Sequence, residues 1–126
     1  MTDSISIRKE TATIFKTLIK KYKKQIKVKE LNKLCKDIET SIYNYTVDFS
    51  DSKDIIKKWS NPFFKNCYLA KSRSIYANID SNSYIKNTHL LDKILNKDIQ
   101  IKRIAFMEPH ELYPEIWEDI LKKKQK

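Results

Sequence analysis

Catalysis needs a nucleophile with a base, paired carboxylates or a set of metal ligands, and few side chains in this sequence can supply them. His89 and His110 are the only histidines, and neither lies in an HExxH or CxxC pattern. Their polar surroundings read them as surface or helix-capping residues. Glu108, Glu111, Glu115 and Glu118 recur every three or four residues, which fits either a line of acid-base groups or an ordinary solvated helix face. Glu118 and Asp119 are adjacent, so on a helix they point about 100° apart and make a poor two-oxygen site for Mg²⁺. Cys35 and Cys67 sit inside apolar helical patterns and read as reduced core thiols of an intracellular protein, not as a disulfide framework or a zinc quartet. With no glycine anywhere, a Gly-rich phosphate loop is excluded. The expectation is a chain that is not an enzyme and holds no cofactor or metal of its own.

Binding chemistry is better represented. The 126 residues carry a net charge of +10, which attracts phosphate, acidic protein faces or anionic membranes. All but three of the 26 basic residues are lysines, however, and abundant Ile and Asn beside absent Gly is also what an A+T-rich gene encodes. The basicity therefore reads as a nucleic-acid footprint or as compositional drift. Residues 20–36 hold eight lysines, enough for weak, sequence-independent phosphate contacts or for a solubilising surface. Arg73 stands apart. At helical spacing it falls with Asn66, Ala70, Ser74 and Ala77 opposite the apolar arc of its helix, so a long guanidinium rises from a strip of small side chains. Such a strip admits a partner surface with the arginine as charge-assisted anchor; the alternative is a surface salt bridge.

The elements that must position these residues are helical. Ile14, Phe15, Leu18, Ile19 and Tyr22 mark a first amphipathic helix, and Val28, Leu31, Leu34, Cys35, Ile38, Ile42 and Tyr45 a second, running to residues 46–48. The Ser50-Asp51-Ser52 cluster predicts an N-cap for a third segment carrying Ile55, Ile56 and Trp59, which Pro62 breaks or restarts. From residue 63 to 79, Phe64, Tyr68, Ser72, Ile75 and Ile79 face the core, with Leu69 and Tyr76 widening the arc, and the aromatics Tyr43, Tyr45, Trp59 and Phe63 are expected to pack inward as well. Asn87 or Thr88 caps a short helix with Leu90, Leu91, Ile94 and Leu95; residues 101–107 and 109–112 form further short turns, and Pro114 opens a last helix. No strand alternation, apolar leader or run of about 18 apolar residues occurs, so neither secretion nor a membrane span is expected. The reading is an all-α, monomeric small bundle of three main helices plus short ones over residues 1–114, with a linker helix and basic tail over 115–126.

Three stretches carry a resemblance. Tyr68-Leu69-Ala70-Lys71-Ser72-Arg73-Ser74-Ile75-Tyr76-Ala77-Asn78-Ile79 closely resembles the long helix of the central domain of transcription elongation factor S-II (TFIIS). Asn87-Thr88-His89-Leu90-Leu91-Asp92-Lys93-Ile94-Leu95-Asn96-Lys97-Asp98-Ile99 is similar to the family's next helix, and Ile104-Ala105-Phe106-Met107-Glu108-Pro109-His110-Glu111-Leu112 to the segment after it. The match runs from about residue 41 to 117, and more weakly back to the second helix. The resemblance implies a bundle that docks on the jaw side of the largest subunit of a multisubunit RNA polymerase, with Arg73, Lys71 and Lys86 as docking residues.

Departures qualify it. Lys97 stands where the family usually has Gly, so a left-handed turn falls to Asn96 or another cap. Ile101-Lys102-Arg103 replaces a common Pro-Glu-Glu. Family members continue into a Cys-rich zinc ribbon whose Asp-Glu hairpin promotes cleavage of backtracked transcripts; these 126 residues include no such cysteines, so they are expected to be either a piece ending in the linker or a docking domain without that tip, with zinc only in a ribbon not contained here. Leu112-Tyr113-Pro114-Glu115-Ile116-Trp117 is similar to versions in large DNA viruses, implying host cytoplasm or a virion, where a cellular version implies the nucleus. The alternative function is a generic basic helical nucleic-acid-binding module.

Overall fold

The computed structural model describes residues 4–124, all-helical apart from turns and loops: α1 (Ser4–Tyr22), α2 (Val28–Ser52), α3 (Pro62–Ile79), α4 (Leu90–Leu95), a 3-10 helix (Ile101–Phe106), α5 (Pro109–Leu112) and α6 (Pro114–Lys124). The leader reading at Met1–Asp3 and the last two residues of the tail lie outside the described residues. The long α2 is the element on which α1, α3 and the 3-10 helix all pack. Its stripe Leu31, Cys35, Ile38 and Ile42 is buried against Phe15, Leu18 and Ile19 of α1 and Tyr68, Ile75 and Ile79 of α3. Burial at about 25 cal/mol per Å² of apolar surface is the main force holding these helices together. The short elements close the end of this core with Leu90, Ile94, Ile104 and Leu112.

Polar contacts fix the register of the short pieces. The backbone N–H of Ala105 donates to the buried Ser41 hydroxyl at 3.0 Å, tying the 3-10 helix to α2. Asn87, buried itself, donates to the Leu112 carbonyl at 2.9 Å and accepts from the N–H groups of His89 and Leu90. Its side chain is thus the cap of α4, while His89 occupies the N-cap position without a side-chain cap bond.

Several expectations need correction. Ser50, Asp51 and Ser52 do not cap a third helix; they form the last turn of α2, which runs past residue 48 with Tyr45 and Phe49 stacked at 6.1 Å. Asp54, at φ 55°, turns the chain away, and Ile55, Ile56 and Trp59 lie in an irregular connection. Pro62 then sits in the first turn of α3, where Asn61 accepts from the Phe63 N–H at 2.9 Å. Of the aromatics expected inside, Phe63 is 72% exposed, because its phase on α3 is that of Asn66 and Ala70. Cys67 is only half-buried, unlike Cys35. Lys97 itself adopts the left-handed backbone, φ 62°, so Asn96 is not the turn residue.

Candidate functional site

Pro62 and Asn61 start α3 and the core stripe Phe64, Tyr68, Ile75 and Ile79 fixes its rotation. At 100° per residue the outward ridge is therefore Phe63, Asn66, Ala70 and Ser74, with Arg73 on one flank and Lys71 on the other. Arg73 is exposed and, among the described residues, makes no ion pair. Beside it α1 and α3 border an open cleft of about 380 Å³ lined by Thr11, Ile14, Phe15, Leu69, Ser72, Arg73 and Tyr76.

Lys71 occupies a different environment. It is half-buried, with its ammonium nitrogen 4.1 Å from the centroid of the Tyr45 ring, at the edge of a groove that also takes in Phe49, Ile55, Phe63 and Cys67. Burial pulls its pKa below the ordinary lysine value against the opposing pull of Cys67 and Glu108, and no carboxylate within the described residues pairs with it. The same setting pushes the Cys67 thiol up, again through burial first. A desolvated cation over an aromatic face is stabilised by about 1–2 kcal/mol, which keeps the charge in place without neutralising it.

Lys86 lies on the loop between α3 and α4, exposed and in the left-handed region at φ 57°. Its N–H donates to the Ser83 carbonyl and its own carbonyl accepts from the Tyr113 hydroxyl, both at 3.1 Å. The Ser83 hydroxyl donates to the Ala77 carbonyl at 2.5 Å, so this loop is pinned to α3 one turn beyond Arg73. That contact corrects the expectation for Ala77: it has the phase of the open strip but is buried, because the loop folds onto it. The three cations are consequently spread along one face and both flanks of α3.

Sequence reasoning missed the polar centre behind this face. Glu39, 5% exposed, accepts from Arg8 Nε and Nη2 at 2.8 and 2.9 Å and from the Tyr68 hydroxyl at 2.8 Å, joining α1, α2 and α3. The Arg8 guanidinium also stacks 4.0 Å over the Tyr43 ring. Burial, first, and then Glu39 push the Tyr68 phenol upward, and the bond to Glu39 raises Arg8 further. The signal was available: Glu39 lies within the stripe Leu31, Cys35, Ile38 and Ile42. His89 and His110 are exposed, and burial pushes the Cys35 thiol up to about 11, away from reactivity. Among the described residues no group of three or more His, Cys, Asp or Glu is placed to hold a metal ion, and no helix is long and apolar enough to cross a membrane.

These features define a small all-helical module whose third helix presents cations on a surface of small and apolar side chains. The family model for the transcription factor S-II (TFIIS) central domain matches residues 4–126, and the chain belongs to that family. Membership gives it a transcription elongation factor-like role and an association with RNA polymerase. The match takes in all of α1, which the quoted motifs did not reach. No curated protein and no solved structure matches the chain.

Proposed function

We propose that the chain docks on the jaw side of the largest subunit of a multisubunit RNA polymerase through Arg73, Lys71 and Lys86, without itself being an enzyme. The observation that carries the reading is the open guanidinium of Arg73, exposed on α3 and paired with no carboxylate of the described chain. A planar, permanently charged fork of this kind gains most from a carboxylate met bidentately at a water-poor contact. Lys71, already part-desolvated over Tyr45, has paid some of the cost of entering an interface.

In this reading transcript cleavage belongs to the zinc ribbon of a full factor, since docking needs only a rigid cationic face whereas cleavage needs carboxylates delivered near the polymerase metal. The chain uses no cofactor, acts as a monomer, and touches nucleic acid only weakly through its lysines. Its place is wherever the polymerase works inside the cell: the nucleus for a cellular factor, host cytoplasm or virion for a viral one. The test pairs a pull-down on purified polymerase with a cleavage assay on a backtracked complex. Binding lost on Arg73→Ala supports docking; unchanged binding refutes it, and strong cleavage stimulation by residues 1–126 alone refutes the division of labour.

A further inference from the structure

We infer that the cleft between α1 and α3 is an anchor pocket for an acidic segment of the partner protein, which inserts an apolar side chain there while a neighbouring carboxylate pairs with Arg73. The inference rests on the docking reading above and adds α1 to it. At about 380 Å³ the cleft is within the size range of pockets that seat ligand groups. Phe15 and Tyr76, with ring centroids 5.9 Å apart, form a packed aromatic wall, and Ile14 stands at the mouth 53% exposed on a helix whose Phe15, Leu18 and Ile19 are buried.

Two of the polar side chains of the lining, Thr11 and Ser72, make no demand on an occupant, which leaves the Arg73 guanidinium and the Tyr76 hydroxyl to meet it. The Thr11 hydroxyl donates to the Ile7 carbonyl at 3.1 Å and the Ser72 hydroxyl to the Tyr68 carbonyl at 2.9 Å, so both are satisfied within their own helices. Arg73 is the single charged residue of the lining, and no acid accompanies it. An apolar notch with one open cation at its edge is complementary to an apolar side chain beside a carboxylate. The net charge of +10 draws an acidic segment toward this face and disfavours a basic one.

Purified multisubunit RNA polymerase is the probe, titrated against the full chain. Ile14→Gln should weaken binding about 10-fold, the scale of losing a well-packed apolar contact at an anchor site, and Ile14→Ala by a similar factor. Ile14→Leu should stay within about 2-fold of the native chain, as should Val28→Gln, an exposed apolar position at the start of α2. Thermal melts confirm that each variant folds; because Ile14→Gln and Ile14→Ala differ in polarity, the pocket requires both to weaken binding, and a defect in only one overturns it. Non-additivity between Ile14→Gln and Arg73→Ala supports one inserted segment contacting both. Weaker binding by Arg73→Ala with unchanged binding by Ile14→Gln and Ile14→Ala overturns the pocket and leaves docking intact; no effect of Arg73→Ala overturns both. Should light scattering show a dimer that Ile14→Gln dissolves while polymerase binding persists, the occupant is a second copy and the inference fails.

Discussion

Arg8 on α1 and Arg73 on α3 offer the same fork to very different surroundings. The Arg8 fork is closed: both oxygens of Glu39 accept from it, Tyr43 lies beneath it, and Glu39 is held from a third helix by Tyr68. The Arg73 fork is open, with no carboxylate of the described chain within ion-pair distance. A closed fork spends its hydrogen-bonding capacity on the fold, fixing how α1, α2 and α3 sit together. An open one retains that capacity for another molecule. What separates the two is the phase of the facing helix: Glu39 lies in the buried stripe of α2, whereas the residues around Arg73 are small or apolar.

The sharpest way to break this comparison is Glu39→Ala. It leaves an arginine side chain one third exposed and a fully buried phenol without their acceptor, and should cost about 3 kcal/mol of stability in urea unfolding, the low end for a broken buried pair. A loss under about 1 kcal/mol would mean that the closed fork is not structural. Arg73→Ala should show the reverse pattern, weakening polymerase binding by about 2 kcal/mol while changing stability by less than about 0.5 kcal/mol. Arg73→Lys should restore only part of the binding, because the planar fork is lost.

A third prediction turns on pH. Burial holds the Lys71 pKa below the ordinary lysine value, so its charge, and its share of docking, disappears earlier than that of other lysines as pH rises. Lys71→Arg should shift this alkaline loss of binding to higher pH, measured as affinity against pH; an unchanged profile would remove Lys71 from the interface. The smallest effect is expected at Lys93–Glu115, a closed but only half-buried pair at 2.6 Å linking α4 to α6. Burial raises the Glu115 carboxyl, yet the Lys93 hydrogen bond, its own backbone and the charges of Lys93 and His89 outweigh this and hold it low. A depressed carboxyl contributes stability above its unfolded pKa and loses it as pH falls through the folded one. With Glu115 more than one third exposed, solvent screening limits this to about 0.3 kcal/mol, visible as slightly earlier acid exchange of α6 amides.

The parts of the molecule that follow from periodicity were legible in the residues. Phe64, Tyr68, Ile75 and Ile79 reach the core of α3 because a 3.6-residue repeat leaves one rotation for the helix, and that rotation places Arg73 outward. What local pattern misled was the end of α2, where Ser50-Asp51-Ser52 has cap chemistry but the Tyr45–Phe49 stack carries the helix through it. The cleft beside Arg73 was invisible for another reason. It depends on the approach of α1 to α3, two elements separated by all of α2, and no spacing in the sequence encodes that approach. The loop over Ala77 is a local event by contrast, fixed by the Ser83 hydroxyl six residues on, but helical phase alone does not register it.

Asp54, Lys86 and Lys97 all take left-handed backbone in a chain that has no glycine. Each such residue carries a steric cost of about 1 kcal/mol that glycine would avoid. A chain without glycine, though, is also stiffer when denatured, and gives up less freedom on folding. A change from glycine at any of these turns is therefore cheaper than the steric cost alone suggests, since part of it is returned through the denatured ensemble. Turn positions that look obligatory become passable under biased mutation, and the fold can stay above its stability threshold while its composition drifts.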